Sequence, residues 1–226
     1  MGLILNLETA TKVCSVSLVL DGIEIGKKEI KTDKFSHSEN LNLFIIEVMA
    51  KSDFSLNNLN AISVSKGPGS YTGLRIGTST AKGLCFGLNI PLIAIDSLKS
   101  LANLIKIKPN ELICPMFDAK RMEVYSALYS HNLNSIIATE AKIIDDTSFK
   151  QELDAHTIHF IGPGAEKCQS EIKHINAKFN LITEVSASGM AILSEKRYQN
   201  KTFEDLAYFE PFYLKDFIAG KPKKLL

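Results

Sequence analysis

No stretch of this 226-residue chain approaches the ~20 consecutive apolar residues that a bilayer-crossing helix needs, so no membrane span is expected. An excess of one charge is missing too. The 26 basic and 25 acidic side chains leave a formal net charge of +1, and each half is close to neutral. A protein whose main task is gripping a phosphodiester backbone usually carries a strongly basic domain, and this one does not. Metal-ligand spacings are scarce. Cys14, Cys85, Cys114 and Cys168 contain no CxxC pair, and each lies in an apolar segment where a buried, reduced thiol is expected. The histidines form no HExxH or HxxxH pair, which removes the usual zinc-peptidase signature. The Walker spacing GxxxxGK[ST] is absent. The opening MGLILNLETA has no basic n-region, and Asn6 and Glu8 break its apolar run, so no signal peptide is expected and the predicted compartment is cytoplasmic. What is there, 45% apolar and 23% charged residues, is the composition of an ordinary globule.

Three strand-like runs open the chain, at 3–8, 13–20 and 23–30, and Asp21-Gly22 joins the last two as a hairpin signal. The capping-box spacing from Ser36 to Glu39 predicts a helix over 36–51. A strand at 61–66, the loop GPGSYTG at 67–73, a helix to Leu88 and a strand at 91–96 make a βαβ unit. Beyond about residue 105 the texture changes. Strands at 111–119 and 123–130 flank the turn Lys120-Arg121-Met122, and a third follows at 136–144. Then come a short helix near 147–154, a strand running into a loop over 158–164, and a helix from Ala165 to Ile175. A strand at 181–185, a helix from Ser188 to Gln199 and an extended tail at 209–217 complete the pattern. Each half has an early hairpin-like strand pair and a later strand entering Gly-Pro-Gly, at 67–69 and 162–164. That echo suggests two related lobes, 1–105 and 106–226, with 188–226 able to pack back on the first.

The most informative stretch is 63–88. Gly67-Pro68-Gly69 turns a buried strand abruptly into a helix, and two readings fit it. It is a tight turn that only packs well, or its free N–H groups dock an anion or a carbonyl. Arg75, one of three arginines against 23 lysines, places a rigid cationic fork one turn further on. Within the helix, Gly73, Gly77 and Ala81 recur on one face, and Gly83 and Gly87 on another. Glycine inside a helix costs about 1 kcal/mol relative to alanine. Another backbone must therefore come close, from this chain's own sheet or from another protein. In the preceding helix Leu41, Phe44, Ile45, Val48 and Met49 form one stripe, and Leu43 and Ile46 lie outside it. So wide an apolar arc is either sunk in its own fold or shared with a partner. His37, in the first turn, suits a neutral capping or packing role, and Lys120-Arg121 suits a solvated turn or a phosphate contact. The loop Glu8-Thr9-Ala10-Thr11 stands where actin-like phosphotransferases use Asp-x-Gly-Thr, but it lacks the glycine that lets a backbone wrap a phosphate.

The segments ILNLETATKVCSVSL, SVSKGPGSYTGLRIGTSTAKGLCFGLNIPLIAIDSL and EPFYLK resemble the TsaB family, also called YeaZ. These are bacterial partner proteins in the synthesis of threonylcarbamoyladenosine in tRNA. The likeness is most specific over 61–98, where GPGSYTGLRIG discriminates. The paralogous TsaD-type catalytic chains are longer and carry HxxxH, and Glu8 stands where many TsaB-like chains have Asp. The resemblance implies an α/β, actin-like (ribonuclease H-like) fold with two related lobes and mixed sheets flanked by helices. It implies no catalytic residue, no metal, and no cofactor bound by this chain alone, with ATP or ADP belonging to the complex. The implied partners are a TsaD-like catalytic subunit met through the first two helices, a TsaE-like ATPase, a second copy when alone, and tRNA only indirectly. On that basis the expected contacts are His37, Leu41, Phe44, Ile45 and Val48 from the first helix. From the second they are Gly73, Arg75, Ile76, Thr80 and Gly83, with the loop Gly67, Pro68, Gly69, Ser70, Tyr71 and Thr72 beside them. The alternatives are an actin-like ATPase or kinase acting alone and a metallopeptidase.

Overall fold

β1 (Leu3–Glu8) is buried at every position, as a strand covered on both faces must be. It is the third strand of the first sheet in the computed structural model, which describes residues 2–32, 36–180 and 184–215. β2 (Val13–Leu20) and β3 (Ile23–Lys31) follow through a hairpin whose Asp21 and Gly22 both have positive φ, the turn that matches strand twist. α1 (His37–Ala50) leads to β4 (Ala61–Gly67), α2 (Tyr71–Leu88), β5 (Leu92–Asp96) and the six-residue α3 (Ser97–Ala102). The sheet order is β3-β2-β1-β4-β5, with β1 antiparallel to β2 and parallel to β4.

The second sheet repeats this plan. β6 (Glu111–Asp118), β7 (Glu123–Ser130) and β8 (Ser135–Ile143) form an antiparallel meander. α4 (Lys150–Ala155), β9 (Thr157–Ile161), α5 (Ala165–Cys168) and β10 (Ala177–Phe179) follow. The order β8-β7-β6-β9-β10, with β6 parallel to β9 and β9 to β10, matches the first sheet strand for strand. The two related lobes and mixed sheets of the expected actin-like architecture are thus present. A 3-10 turn at Ala187–Met190 and α6 (Ala191–Gln199) return to the first sheet, where Met190 packs on Ile4, Ile93 and Ile95. Between the lobes, Leu98 and Leu101 of α3 join Ala10, Val13 and Leu74 to Ile113, Phe117 and Ile161 in one apolar cluster. Among the described residues no helix is long and apolar enough to cross a membrane.

Several local expectations change. The capping box at Ser36 does not form, since that residue makes no side-chain cap bond and its hydroxyl lies 3.2 Å from Thr32 Oγ1. α4 starts later than 147 because the Asp145 carboxylate accepts from the Thr147 amide and hydroxyl and from the Ser148 hydroxyl, holding a turn there. The helix expected from Ala165 to Ile175 ends at Cys168. The polar run Gln169-Ser170-Glu171 offers it no apolar face, and Ile172 reaches the second core through a turn instead. Of the strand expected at 181–185, residues 181–183 lie outside the described residues, and the edge strand forms at Ala177–Phe179. α3 has no counterpart among the expectations, because six residues are too few to show a helical period. The tail has no regular element over 209–215, and 216–217 lie outside the described residues.

Phe160 is the largest fully buried side chain of the second core and lies against Phe149 and Phe179 at 5.5 and 5.0 Å between ring centroids. Phe160→Ala is expected to cost about 3–5 kcal/mol, read as a lower urea midpoint with an unchanged slope.

Candidate functional site

The site is built where β4 becomes α2. Gly67 has φ +114 and its amide donates to Ser97 Oγ at 3.0 Å, and a Cβ there would sit 2.4 Å from the Phe212 carbonyl oxygen. Only glycine satisfies both conditions. Ser70 then caps α2, its Oγ accepting from the Gly73 amide at 3.2 Å. The Ser70 amide donates to the Ala10 carbonyl at 2.6 Å. Of the two dockings expected at this helix start, an anion or a carbonyl, a carbonyl is present at the Ser70 amide.

That carbonyl belongs to the β1–β2 loop, which lies directly on α2. A Cβ on Gly69, Gly73 or Gly77 would stand 2.5 Å from Ala10 O, 2.2 Å from Thr9 O and 2.3 Å from Thr9 Oγ1 respectively. The Gly73-Gly77 face is therefore filled by this chain's own loop. The same loop holds α1. His37 is buried, and its Nε2–H donates to the Thr11 carbonyl at 2.8 Å. Burial lowers the pKa of His37, so the ring is neutral near pH 7.

Glu8 is fully buried beneath the loop. Its Oε1 accepts from the Ala10 amide at 2.7 Å, and its Oε2 has no hydrogen-bond partner. Burial pushes the carboxyl up to about 7, against the opposing pull of the Ala10 amide and the Ser65 hydroxyl. The acid is turned back on its own loop, and the loop backbone is pressed onto α2. The cysteines are no better as nucleophiles. All four are free and buried, and desolvation raises Cys14 to about 12 and Cys85 and Cys168 to about 11. Among the described residues no three His, Cys, Asp or Glu side chains gather into a metal-binding group.

The helix pair presents a different surface outward. His37, Leu41, Phe44, Ile45 and Val48, the expected contacts of the first helix, are all buried, and the four apolar ones belong to the first lobe's own core. This is a correction of face: the most apolar stripe covers the sheet, and Leu43 and Ile46, 55% and 63% exposed, point to solvent. In α2, Gly73 is buried against the loop, Ile76 and Thr80 are half-buried, and Arg75 and Gly83 are exposed. A Cβ added at Gly83 or Gly87 would meet nothing within 4 Å, and Phe86 beside them is 82% exposed. Of the loop residues, Gly67 and Pro68 are buried, Gly69, Ser70 and Tyr71 are half-buried, and Thr72 is exposed. The Arg75 guanidinium stacks over Tyr71 at 4.1 Å, and its Nε donates to Tyr213 Oη at 3.2 Å. Leu43, Ile46, Phe86 and Gly87, all exposed, were not among the expected contacts. Their signal was present as apolar or glycine positions left over once the buried stripe was assigned. Nothing local could have linked Tyr213 to Arg75.

Comparison with known proteins gives a consistent result. A family model described as TsaD, tRNA N6-adenosine threonylcarbamoyltransferase, matches residues 32–225. The tRNA threonylcarbamoyladenosine biosynthesis protein TsaB of Haemophilus influenzae is 34% identical over 123 residues, 54% of this chain and 51% of that protein. The Bacillus subtilis protein of the same name is 36% identical over 128 residues, 57% of this chain and 55% of that one. These matches thus span about half the length of the curated relatives. A Pseudomonas aeruginosa crystal structure, described as an uncharacterized protein with similarity to peptidase YEAZ, superposes with a TM-score of 0.83. It is 22% identical, with 95% of this chain and 100% of that one covered.

The loop's geometry sets two expectations. Alanine at Gly73 must push aside the Thr9 backbone and is expected to lose about 1–3 kcal/mol, whereas Gly83→Ala meets open space and gains about 0.5–1 kcal/mol, both read by urea unfolding. Glu8 titrates near 4.5 when unfolded and at about 7 when folded. Between those values the native state keeps a proton that the unfolded chain has lost. The stabilisation is therefore complete below pH 4.5 and lost as pH rises through about 7. Glu8→Gln should match the parent at pH 4.5 and exceed its stability by about 3 kcal/mol at pH 8, in paired urea titrations.

Proposed function

The chain belongs to the TsaB (YeaZ) family, within the wider TsaD family, and from that premise we propose that it is a non-catalytic partner of a TsaD-like threonylcarbamoyltransferase acting on tRNA. The observation that carries the partner role is the open side of α2. Gly83 and Gly87 sit in the second half of an eighteen-residue helix, and a Cβ on either would meet nothing within 4 Å. Each weakens the helix by about 1 kcal/mol relative to alanine, and packing within this molecule does not require either. Exposed Phe86, Leu43 and Ile46 give the two helices apolar side chains facing water. Glycines let a neighbouring helix approach closely, and the apolar side chains supply the area it would bury.

On this reading the helix pair docks a TsaD-like subunit, and in its absence a second copy of the chain covers the same surface. ATP turnover belongs to a TsaE-like subunit, and contact with tRNA is indirect. The loop at Glu8-Thr9-Ala10 supports a binding role over an actin-like ATPase or kinase working alone, because it lacks the glycine that would wrap a phosphate and its backbone is packed on α2. The absence of a clustered ligand set among the described residues gives no support to the peptidase reading.

The test is complex formation with the TsaD-like subunit by analytical size exclusion and calorimetry. Ile46→Asp and Phe86→Asp should weaken the complex at least tenfold while leaving the melting temperature unchanged. Phe44→Asp, placed in the core, should lower the melting temperature instead. Wild-type affinity in both exposed variants would sink this assignment of the surface.

A further inference from the structure

A concave site lies apart from the exposed helix surface. A cleft of about 620 Å3 opens where the ends of β4 and β5 meet the β7–β8 hairpin, α6 and the tail. That volume falls within the range of small-ligand sites, roughly 300–1,000 Å3. The carboxyl ends of parallel strands are also where α/β sheets generally receive ligands.

The lining carries unbalanced positive charge. Lys66, Lys99 and Lys196 line the cleft, and none of them has an ion-pair partner within 4 Å among the described residues. Arg197 also lines it but is already engaged, with the Ala94 carbonyl and with Glu204 at 3.4 Å. The one carboxylate among the lining residues, Asp96, is committed as the cap of α3, accepting from the Leu98 and Lys99 amides at 3.1 and 3.3 Å. Asp96 feels the charge of both Lys66 and Lys99, so it offsets part of theirs. Three lysines and an arginine against one carboxylate still leave the lining net positive in a chain of net charge +1. Aromatic side chains line the same cleft: Phe212 is 41% exposed, with its amide fixed to the Lys66 carbonyl at 2.7 Å, and Tyr129 is buried.

We propose that this cleft binds a small phosphate-bearing ligand of mononucleotide size, its phosphate among Lys66, Lys99 and Lys196 and its planar part against Phe212. Several ammonium groups lining one cleft suit a multi-oxygen anion, with lysine acting as a point charge. A pocket walled by both lobes and the tail suits a small molecule better than a nucleic acid duplex, which needs an extended basic surface. The site is separate from the Glu8-Thr9-Ala10 loop, and it does not rest on the partner reading.

Calorimetry on the full chain with AMP and with pyrophosphate tests the proposal. Both probes should bind saturably at low salt. Lys66→Ala combined with Lys196→Ala should weaken each at least tenfold, at an unchanged melting temperature. Phe212→Ala should weaken AMP and spare pyrophosphate, and wild-type AMP affinity in that variant would overturn the planar contact. Lys12→Ala with Lys51→Ala, away from the cleft, should change nothing. Absence of saturable binding by both probes at millimolar concentration would overturn the proposal, as would wild-type affinity in the cleft double variant. Binding of an RNA stem-loop through these lysines while AMP and pyrophosphate fail would also overturn it, in favour of nucleic acid.

Discussion

The contact of the Thr9 and Ala10 backbone with the glycine face of α2 is the constraint on which the first lobe is organised. A Cβ at Gly73 would come within 2.2 Å of the Thr9 carbonyl oxygen, so the loop and the helix can meet only because that side chain is missing. The contact sets the direction in which α2 leaves β4. Through His37 and the Thr11 carbonyl it also sets where α1 begins. Its cost is a buried carboxyl at Glu8 with one oxygen unpartnered. The loop backbone is thereby committed to α2 through the Ala10 carbonyl and the close approach of Thr9.

The second lobe repeats the arrangement with a different outcome. Gly164 approaches the end of β6 as Gly69 approaches the end of β1: its Cβ would lie 2.7 Å from the Phe117 carbonyl carbon, and its amide donates to Met116 O at 2.9 Å. The helix that follows is four residues long in this lobe and eighteen in the first. A shared strand-to-helix device thus supports a long, outward-facing helix in only one lobe. α3 and the 3-10 turn before α6 close the remaining apolar surface between and behind the lobes, with Gly189 pressed on the Ser100 carbonyl. The asymmetry that matters for function lies in helix length, not in sheet topology.

The two ends of α2 show glycine serving opposite purposes in one helix. Gly73 and Gly77 admit this chain's own loop, and Gly83 and Gly87 admit nothing from it. Between them Arg75 is held by Tyr71 and Tyr213, so the tail is tied to the helix start while the helix end stays open. Lys82 adds to the same strap by donating to the Ala207 and Phe209 carbonyls. The tail therefore covers one flank of α2 and contributes Phe212 to the interlobe cleft.

Much of this was legible in the sequence. The runs at 3–8, 13–20, 61–66 and 123–130, the Asp21-Gly22 turn and the Gly-Pro-Gly entry to α2 are local signals, because hydrophobic period and turn chemistry act over a few residues. The echo of Gly-Pro-Gly in both halves even anticipated the repeated sheet order. The faces of α1 and α2 were not legible. Phe44 and Ile46 are both apolar, and the position of the sheet determines which is buried. The short α3, the early end of α5 and the β10 pairing also depend on what the chain meets after it folds. The cleft goes furthest beyond local pattern, since Lys66, Lys99, Lys196 and Phe212 become neighbours only when sheet order and the returning tail bring them together. Short-range sterics and periodicity, both written in the chain itself, were enough to set most of the longer elements, the Asp21-Gly22 and Gly-Pro-Gly turns and the two-lobed plan. Which surfaces stayed open was settled by the folded arrangement, because burial is a property of packing between segments far apart in the chain.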